Sequence, residues 1–283
     1  MTHRADAVGL VLARPARMLG LEPFFMELIA GMEEVLATDG RSLLLHVVKD
    51  MDAEIAAYRR WSAGGMVDAV VIVNLTEHDP RLGVVTELGL PAVVVGGPRS
   101  GFGFSNVWID DAQAMRDAVG YLVDLGHRRL ARVSGPAQFE HTRLRSEAFV
   151  EECERFGVDG TIVEGDYTDT SGERSTRALL GRGANPTAIV FDNDVMAVSA
   201  VGVAAEMGVT VPDQLSLLAW DDSALCRLAN PTVSAMSLDV QAMGMQVADC
   251  LLNMLAGGPV TAYMAPLPRL QARRSTARAP LTA

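Results

Sequence analysis

The chain has 283 residues, 49% hydrophobic and 21% charged, with 35 Asp and Glu against 24 Lys and Arg and a formal net charge of −11. That length is enough for one large domain or two lobes of ordinary size, and the acidic balance argues against any general attraction to nucleic acid. No apolar run reaches membrane-spanning length. The three cysteines, Cys153, Cys226 and Cys250, form no Cys-x-x-Cys pair, so a disulfide framework or thiolate zinc site is not expected and a cytoplasmic location is.

In chain order, Ala7–Ala13 (AVGLVLA) predicts a buried strand and Glu22–Leu36 an amphipathic helix carrying Phe24, Phe25 and Leu28 on its apolar side. Arg41–Val48 is a second strand, Ala53–Ser62 a helix, Asp68–Val73 a third strand, Leu82–Leu88 a short helix and Pro91–Val95 a fourth strand. Gly96–Phe104 is a loop. Asp110-Asp111 then caps a helix running to Leu125. The alternation restarts after Gly126-His127-Arg128-Arg129: strand Leu130–Ser134, helix Leu144–Phe156, strand Thr161–Glu164, helix Ser171–Leu180. Thr187–Phe191 and Leu215–Trp220 are strands flanking the helix Val195–Met207, which Gly208 ends. Val240–Ala256 is a long helix, Tyr263–Gln271 a last extended piece and Arg273–Ala283 a loose tail. Strands alternating with helices predict α/β architecture with doubly wound parallel sheets, one run before about Ile109 and one after it.

Ligands of open parallel sheets bind outside the carboxyl ends of the strands. Asn193 and Asp221 each directly follow a strand of the second run, and Arg145 lies in the helix after another. A carboxylate, an amide and a guanidinium fork supply paired acceptors and donors for adjacent hydroxyls. The plainer alternatives are a helix cap for Asn193, a turn for Asp221 and a surface charge for Arg145. Phe24, Phe139 and Trp220 are candidates to stack on an apolar ligand face, with core packing as the alternative and Phe25 the better core member of its pair. Asp192, Asp194, Asp221 and Asp222 lack a calcium-loop pattern, so no metal is expected. No nucleophile elbow, dinucleotide fingerprint or phosphate loop occurs, the five histidines are scattered, and no catalysis or cofactor is expected. His127 reads as pinning its turn, and His141 as a solvated loop residue.

The string Pro186, Asn193-Asp194-Val195-Met196-Ala197, Gly208, Val211-Pro212, Leu215-Ser216, Asp221-Asp222, Pro231 and Met243-Gly244 resembles the effector-binding domain of LacI/GalR-type transcriptional regulators. LEPFFMELIAGMEE, VGYLVDLGHRRLARVSGP and PLPRLQARRST resemble further signatures of the same family. The resemblance implies a periplasmic-binding-protein-like type I fold of two lobes joined by three crossovers. Residues 1–109 with 238–265 would form the N-terminal lobe, and 110–237 with 266–283 the C-terminal lobe. It implies that Asn193, Asp221 and Arg145 contact a sugar-like effector bridged to the loop around Ala13–Phe24 of the other lobe. It also implies a homodimer, with Glu54–Trp61 and the last helix as contributors, and operator DNA contact through a helix-turn-helix headpiece outside this chain. No signal peptide is read at MTHRADAVGLVLARP; the alternative within the same fold is a soluble sugar-binding protein of a transport system.

Overall fold

β1 (Ala7–Ala13) has its middle five residues fully buried, the signature of a strand covered on both faces. It opens the first of two six-stranded sheets in the computed structural model, which describes residues 5–14, 23–97, 103–181 and 185–280. The chain continues through α1 (Pro23–Leu36), β2 (Ser42–Val48), α2 (Met51–Gly64), β3 (Ala69–Ile72), α3 (Pro80–Glu87), β4 (Ala92–Val95) and β5 (Ser105–Trp108). A second winding follows: α4 (Asp111–Asp124), β6 (Arg129–Ser134), α5 (Glu140–Phe156), β7 (Asp159–Glu164), α6 (Asp169–Leu180), β8 (Ala188–Phe191), α7 (Asp194–Glu206), β9 (Ser216–Trp220), α8 (Ala224–Leu228) and β10 (Ser234–Ser237). It ends with α9 (Val240–Leu255), β11 (Ala262–Met264) and β12 (Arg269–Gln271).

Two units result. Unit 1 comprises Met1–Ile109 and Asp239–Ala265, unit 2 Asp110–Leu238 and Pro266–Ala283, so the chain passes between them three times. The sheet of unit 1 runs β11-β5-β4-β3-β1-β2 with every pairing parallel. That of unit 2 runs β12-β10-β9-β8-β6-β7, with only β12 antiparallel. The doubly wound α/β class expected from the alternation is therefore the observed one. The single extended piece expected over Tyr263–Gln271 is instead two short strands, one in each sheet. Pro266 and Pro268 fall between them and cannot donate to a ladder.

In unit 1, α9 returns to pack directly on α1. A Cβ on Gly31 would stand 2.0 Å from the Gln241 carbonyl oxygen, and one on Gly244 2.2 Å from that of Leu28. Only glycine on both helices allows that approach. The helix face Glu54–Trp61 turns inward: Ala57, Tyr58 and Trp61 are core residues, and Glu54 is buried against Arg81 Nη1 at 2.9 Å. Core packing, not an exposed contact face, accounts for it.

The loose tail expected after Arg273 is docked along unit 2. Ser275 is fully buried, its hydroxyl donating to the Leu217 carbonyl at 2.6 Å, while the Leu217 amide donates to the Ser275 carbonyl at 2.8 Å. His127, also fully buried, holds the same segment. Its Nδ1 meets Thr187 Oγ1 at 2.9 Å, and its Nε2 lies 3.1 Å from both Ser216 Oγ and the Ala277 carbonyl. The ring thus ties three distant segments together as well as its own turn.

Candidate functional site

The carboxyl ends of β6, β8 and β9 deliver three short connections to one edge of the unit 2 sheet. Asp192, first after β8, is turned inward: Arg132 donates to it from Nε at 2.8 Å and Nη2 at 2.6 Å, and the Gly135 amide adds a bond of 3.0 Å. Burial alone would raise this carboxyl, but Arg132 and Arg145 outweigh it and hold it below the usual carboxylate range. The ion pair clamps the β6 and β8 connections to each other.

Asn193 is the N-cap of α7. Its Oδ1 accepts from the Met196 amide at 3.0 Å and its Nδ2 donates to the Tyr167 carbonyl at 2.9 Å. A primary amide has two hydrogens and two lone pairs, so one of each remains. Asn193 is 2% exposed, and its capping bond is part of the fold whatever else it contacts.

Arg145 departs from the surface charge that its helical position allowed. Its Nε donates to Asp111 Oδ1 at 2.7 Å, its Nη2 lies 2.6 Å from the same oxygen as an ion pair, and its guanidinium lies 4.0 Å over the Trp220 ring. Burial opposes the charge, but Asp111, Asp192, Tyr167 and Asp221 together raise its pKa, so Arg145 stays a cation. Asp111 was expected to share the capping of α4 with Asp110. Asp110 alone makes the cap, accepting from the Gln113 amide at 2.9 Å, which leaves Asp111 to the arginine. Trp220 is 2% exposed and belongs to the core of unit 2. Its ring face meets Arg145, so its place here is under the guanidinium.

Asp221 follows Trp220 with φ of +67°, a left-handed conformation that Asp tolerates better than most residues. Its amide still pairs with the Met236 carbonyl at 3.1 Å while its side chain leaves the alternation of the strand. Asp222 turns elsewhere, onto Arg273 Nη2 at 2.6 Å.

Tyr167, which the sequence reading passed over, belongs to this edge. It lies past β7, has φ of +69° and is 6% exposed. Its hydroxyl meets His141 Nε2 at 2.8 Å and Thr142 Oγ1 at 3.3 Å. A Cβ on Gly135 would stand 2.0 Å from that hydroxyl, so the β6 connection closes against the tyrosine only because residue 135 is glycine. His141 is accordingly a first-turn residue of α5 engaged with Tyr167, not a solvated loop histidine. The available signal was position: Gly165-Asp166-Tyr167 follows a strand whose carboxyl end points to the same edge.

Phe139, the N-cap residue of α5, stacks on His141 with centroids 5.6 Å apart and packs against the core. Phe24 and Ala13 belong to unit 1. Ala13 is the half-buried last residue of β1, and Phe24, in the first turn of α1, meets Phe25 edge to face at 5.2 Å. Phe25 is the core member of that pair, 3% exposed. Residues 15–22 of the connecting loop, like 98–102 of the Gly96–Phe104 loop, lie outside the described residues. The structure therefore brings Arg145, Trp220 and Asp221 together with Asp111 and Asp192, and attaches Asn193 through Tyr167. Among the described residues, no group of three or more His, Cys, Asp or Glu is placed to hold a metal, and no helix is long and apolar enough to cross a membrane.

Two doubly wound units, with oriented hydrogen-bonding groups at the carboxyl edge of a parallel sheet, define a fold of the periplasmic-binding-protein type. The chain belongs to the LacI family of transcriptional regulators and carries its effector-binding part: the model of the periplasmic binding protein-like domain matches residues 119–276. It is 29% identical over 262 residues to the HTH-type transcriptional regulator CelR of Thermobifida fusca, covering 91% of this chain and 77% of that one. The crystal structure of a LacI family regulator from Bifidobacterium animalis subsp. lactis superposes with a TM-score of 0.90 at 33% identity, covering 98% of this chain and all of that one. A complex of the transcriptional regulator CelR with cellobiose superposes with a TM-score of 0.88 at 27% identity, covering 97% of this chain and 85% of that one. The chain spans 77%, 63% and 67% of the length of three transcriptional regulators that it matches in sequence.

Proposed function

We propose that this chain is the sensing and dimerising part of a cytoplasmic regulator. It binds a sugar or sugar derivative at the carboxyl edge of the unit 2 sheet, and that binding alters operator affinity through a headpiece. The observation that carries the reading is the pair of Arg145, on the helix that follows β6, and Asp221, just past β9. Arg145 is held by Asp111 and Trp220, and Asp221 follows in a conformation that takes its carboxylate out of the strand. A fixed donor fork beside a carboxylate suits vicinal hydroxyls, because neither group has to be ordered when the ligand arrives. Asn193 offers its remaining hydrogen and lone pair. Phe139, Phe24 in the first turn of α1 and Ala13 at the end of β1 are the proposed apolar contacts. Trp220 contributes through Arg145. A CelR–cellobiose complex among the structural neighbours supports a saccharide as the class to try first.

The regulatory consequence needs only that the effector bind one of two states more tightly. The experiment is a thermal-shift screen of mono- and disaccharides on the purified chain, followed by calorimetric titration of each hit. Saturable binding of at least one sugar, lost in Asp221→Ala, is the expected result. A panel in which no sugar shifts the melting temperature sinks the reading. Sedimentation at micromolar concentration tests the homodimer, and monomer alone counts against it.

A further inference from the structure

Among the described residues six carboxylates are buried, and five of them face an arginine. Glu54 and Asp79 share Arg81, Asp111 pairs with Arg145, Glu152 with Arg155 and Asp192 with Arg132. Asp194 is the sixth, and among the described residues no cation pairs with it. It is 1% exposed, and its Oδ2 accepts no hydrogen bond. It opens α7, directly after the Asn193 cap. The groups that face it are the amides of its own first turn and Ser223, the N-cap of α8, whose hydroxyl also accepts from the Leu225 amide at 3.1 Å. Burial raises the Asp194 carboxyl above its ordinary value of 3.8, by more than Ser223 and those amides lower it.

The other ionisable groups here come from several segments. Asp192, on the same connection, is held by Arg132. Asp221 and Asp222 follow β9, Cys226 lies on α8, and Arg273, past β12, pairs with Asp222 at 2.6 Å. The buried Cys226 thiol is pushed up to about 12, first by burial and then by Asp194 and Asp222, so both carboxylates lie near it. Tyr167, past β7, is joined through its carbonyl to the neighbouring Asn193.

We infer that Asp194 is a proton switch between the connections that follow β8 and β9: as an anion it weakens the packing of α8 on α7, and as a neutral acid it lets that packing close. A buried carboxylate without a cation, and with one oxygen bare, carries a cost that a proton removes. The folded chain therefore binds this proton more tightly than the unfolded chain does. The cost is present above the raised value and is lost as pH falls through it, so acid tightens the contact. Asp192, paired with Arg132, behaves in the opposite sense and stays below the ordinary range. The connection after β9 also carries Asp221, so a proton on Asp194 and a ligand at the edge favour the same closed arrangement. That consequence rests on the effector reading above; the switch itself does not.

The test is carbon-detected NMR of the carboxyl groups of the full chain, without ligand, from about pH 8 to about pH 4. Side-chain correlations assign the Asp194 carboxyl without any substitution. Its midpoint is expected above 3.8, with Asp192 still ionised at the acid end. Hydrogen-exchange protection of the Leu225, Ala229 and Val233 amides, which bond to the cap, the helix and the carbonyl of Cys226, should rise with that same midpoint after correction for the intrinsic rate. In Asp194→Asn this rise should be absent. The stability of that variant relative to the parent should fall as pH drops, because only the parent gains. A merely structural acceptor would leave that difference independent of pH. An Asp194 midpoint at or below 3.8 overturns the inference. So does protection that follows the midpoint of Asp221 or Asp222, or a variant that keeps the pH dependence of the parent. Should the variant fail to fold, the titration of the parent decides alone. No ligand enters any of these measurements, so their failure leaves the effector reading standing.

Discussion

The guanidinium of Arg145 lies 4.0 Å over the indole ring of Trp220 while pairing with Asp111, so one side chain joins α5, β9 and the start of α4. A buried cation held this way is part of the fold as well as of the site. Arg145→Ala leaves Asp111 buried without its partner, and a loss of about 3–5 kcal/mol in unfolding free energy is expected. Urea denaturation measures it. Arg145→Met, with Asp111→Asn in the same chain, should recover most of that stability and none of the effector affinity.

Asp221 and Asp222 separate binding from stability. Asp221→Ala should cost about 2–4 kcal/mol of effector binding with little change in melting, because the carboxylate is half-buried and past the end of its strand. Asp222→Ala should lower the melting temperature by loosening Arg273 and leave affinity nearly unchanged. Calorimetry and melting on both variants check this. The reverse pattern would place the ligand-facing carboxylate one residue later.

Asn193 works for the fold on both ends of its amide. Asn193→Ala should destabilise the chain by about 1–2 kcal/mol through the lost cap. Asn193→Asp should keep the cap, since Oδ1 is the acceptor, but turns the bond to the Tyr167 carbonyl into a buried contact between two acceptors, so it should destabilise by that route alone. Chemical denaturation of the two variants distinguishes the contributions.

His127 makes stability depend on pH. Burial lowers its pKa below the ordinary value of 6.5, against a smaller opposing effect of the Ala277 carbonyl. The unfolded chain then binds a proton that the folded one resists, so this contribution is complete above pH 6.5 and falls as pH drops below it. Melting curves from pH 8 to 5 should show a loss for the parent that is smaller in His127→Gln, after subtraction of that variant's lower baseline.

The contact of α1 with α9 is set by backbone approach. Gly31→Ala or Gly244→Ala forces a Cβ to within about 2 Å of a carbonyl oxygen, which side-chain rotation cannot relieve. Each should destabilise unit 1 by about 3 kcal/mol or more. Hydrogen exchange localised to α1 and α9 would show where the loss falls.

By itself, the sequence determined the elements and the edge. Runs such as AIVF and SLLAW have no polar face, so they read as strands covered on both sides, and the polar residues just past them mark the carboxyl edge. Local chemistry also pointed to the left-handed end at Gly208 and offered the cap at Asn193 as an alternative, because both depend on neighbours a few residues away. Tertiary structure decided everything that depends on residues distant in the chain. Asp110 and Asp111 look alike as caps; only the placement of α5, 34 residues on, makes one a cap and the other the partner of Arg145. Trp220 looks like a stacking surface until Arg145 covers it. Tyr167 and His141 carry no motif and acquire a role when two loops close over Gly135. The segment after Arg273, polar and without periodicity, has nothing in its own pattern to order it; Ser234, Leu217 and His127 supply its partners from elsewhere in the chain. Patterning reports how a residue meets solvent and its near neighbours, whereas pairing between buried polar groups is chosen by the fold, because each must find a partner wherever the packed backbone presents one.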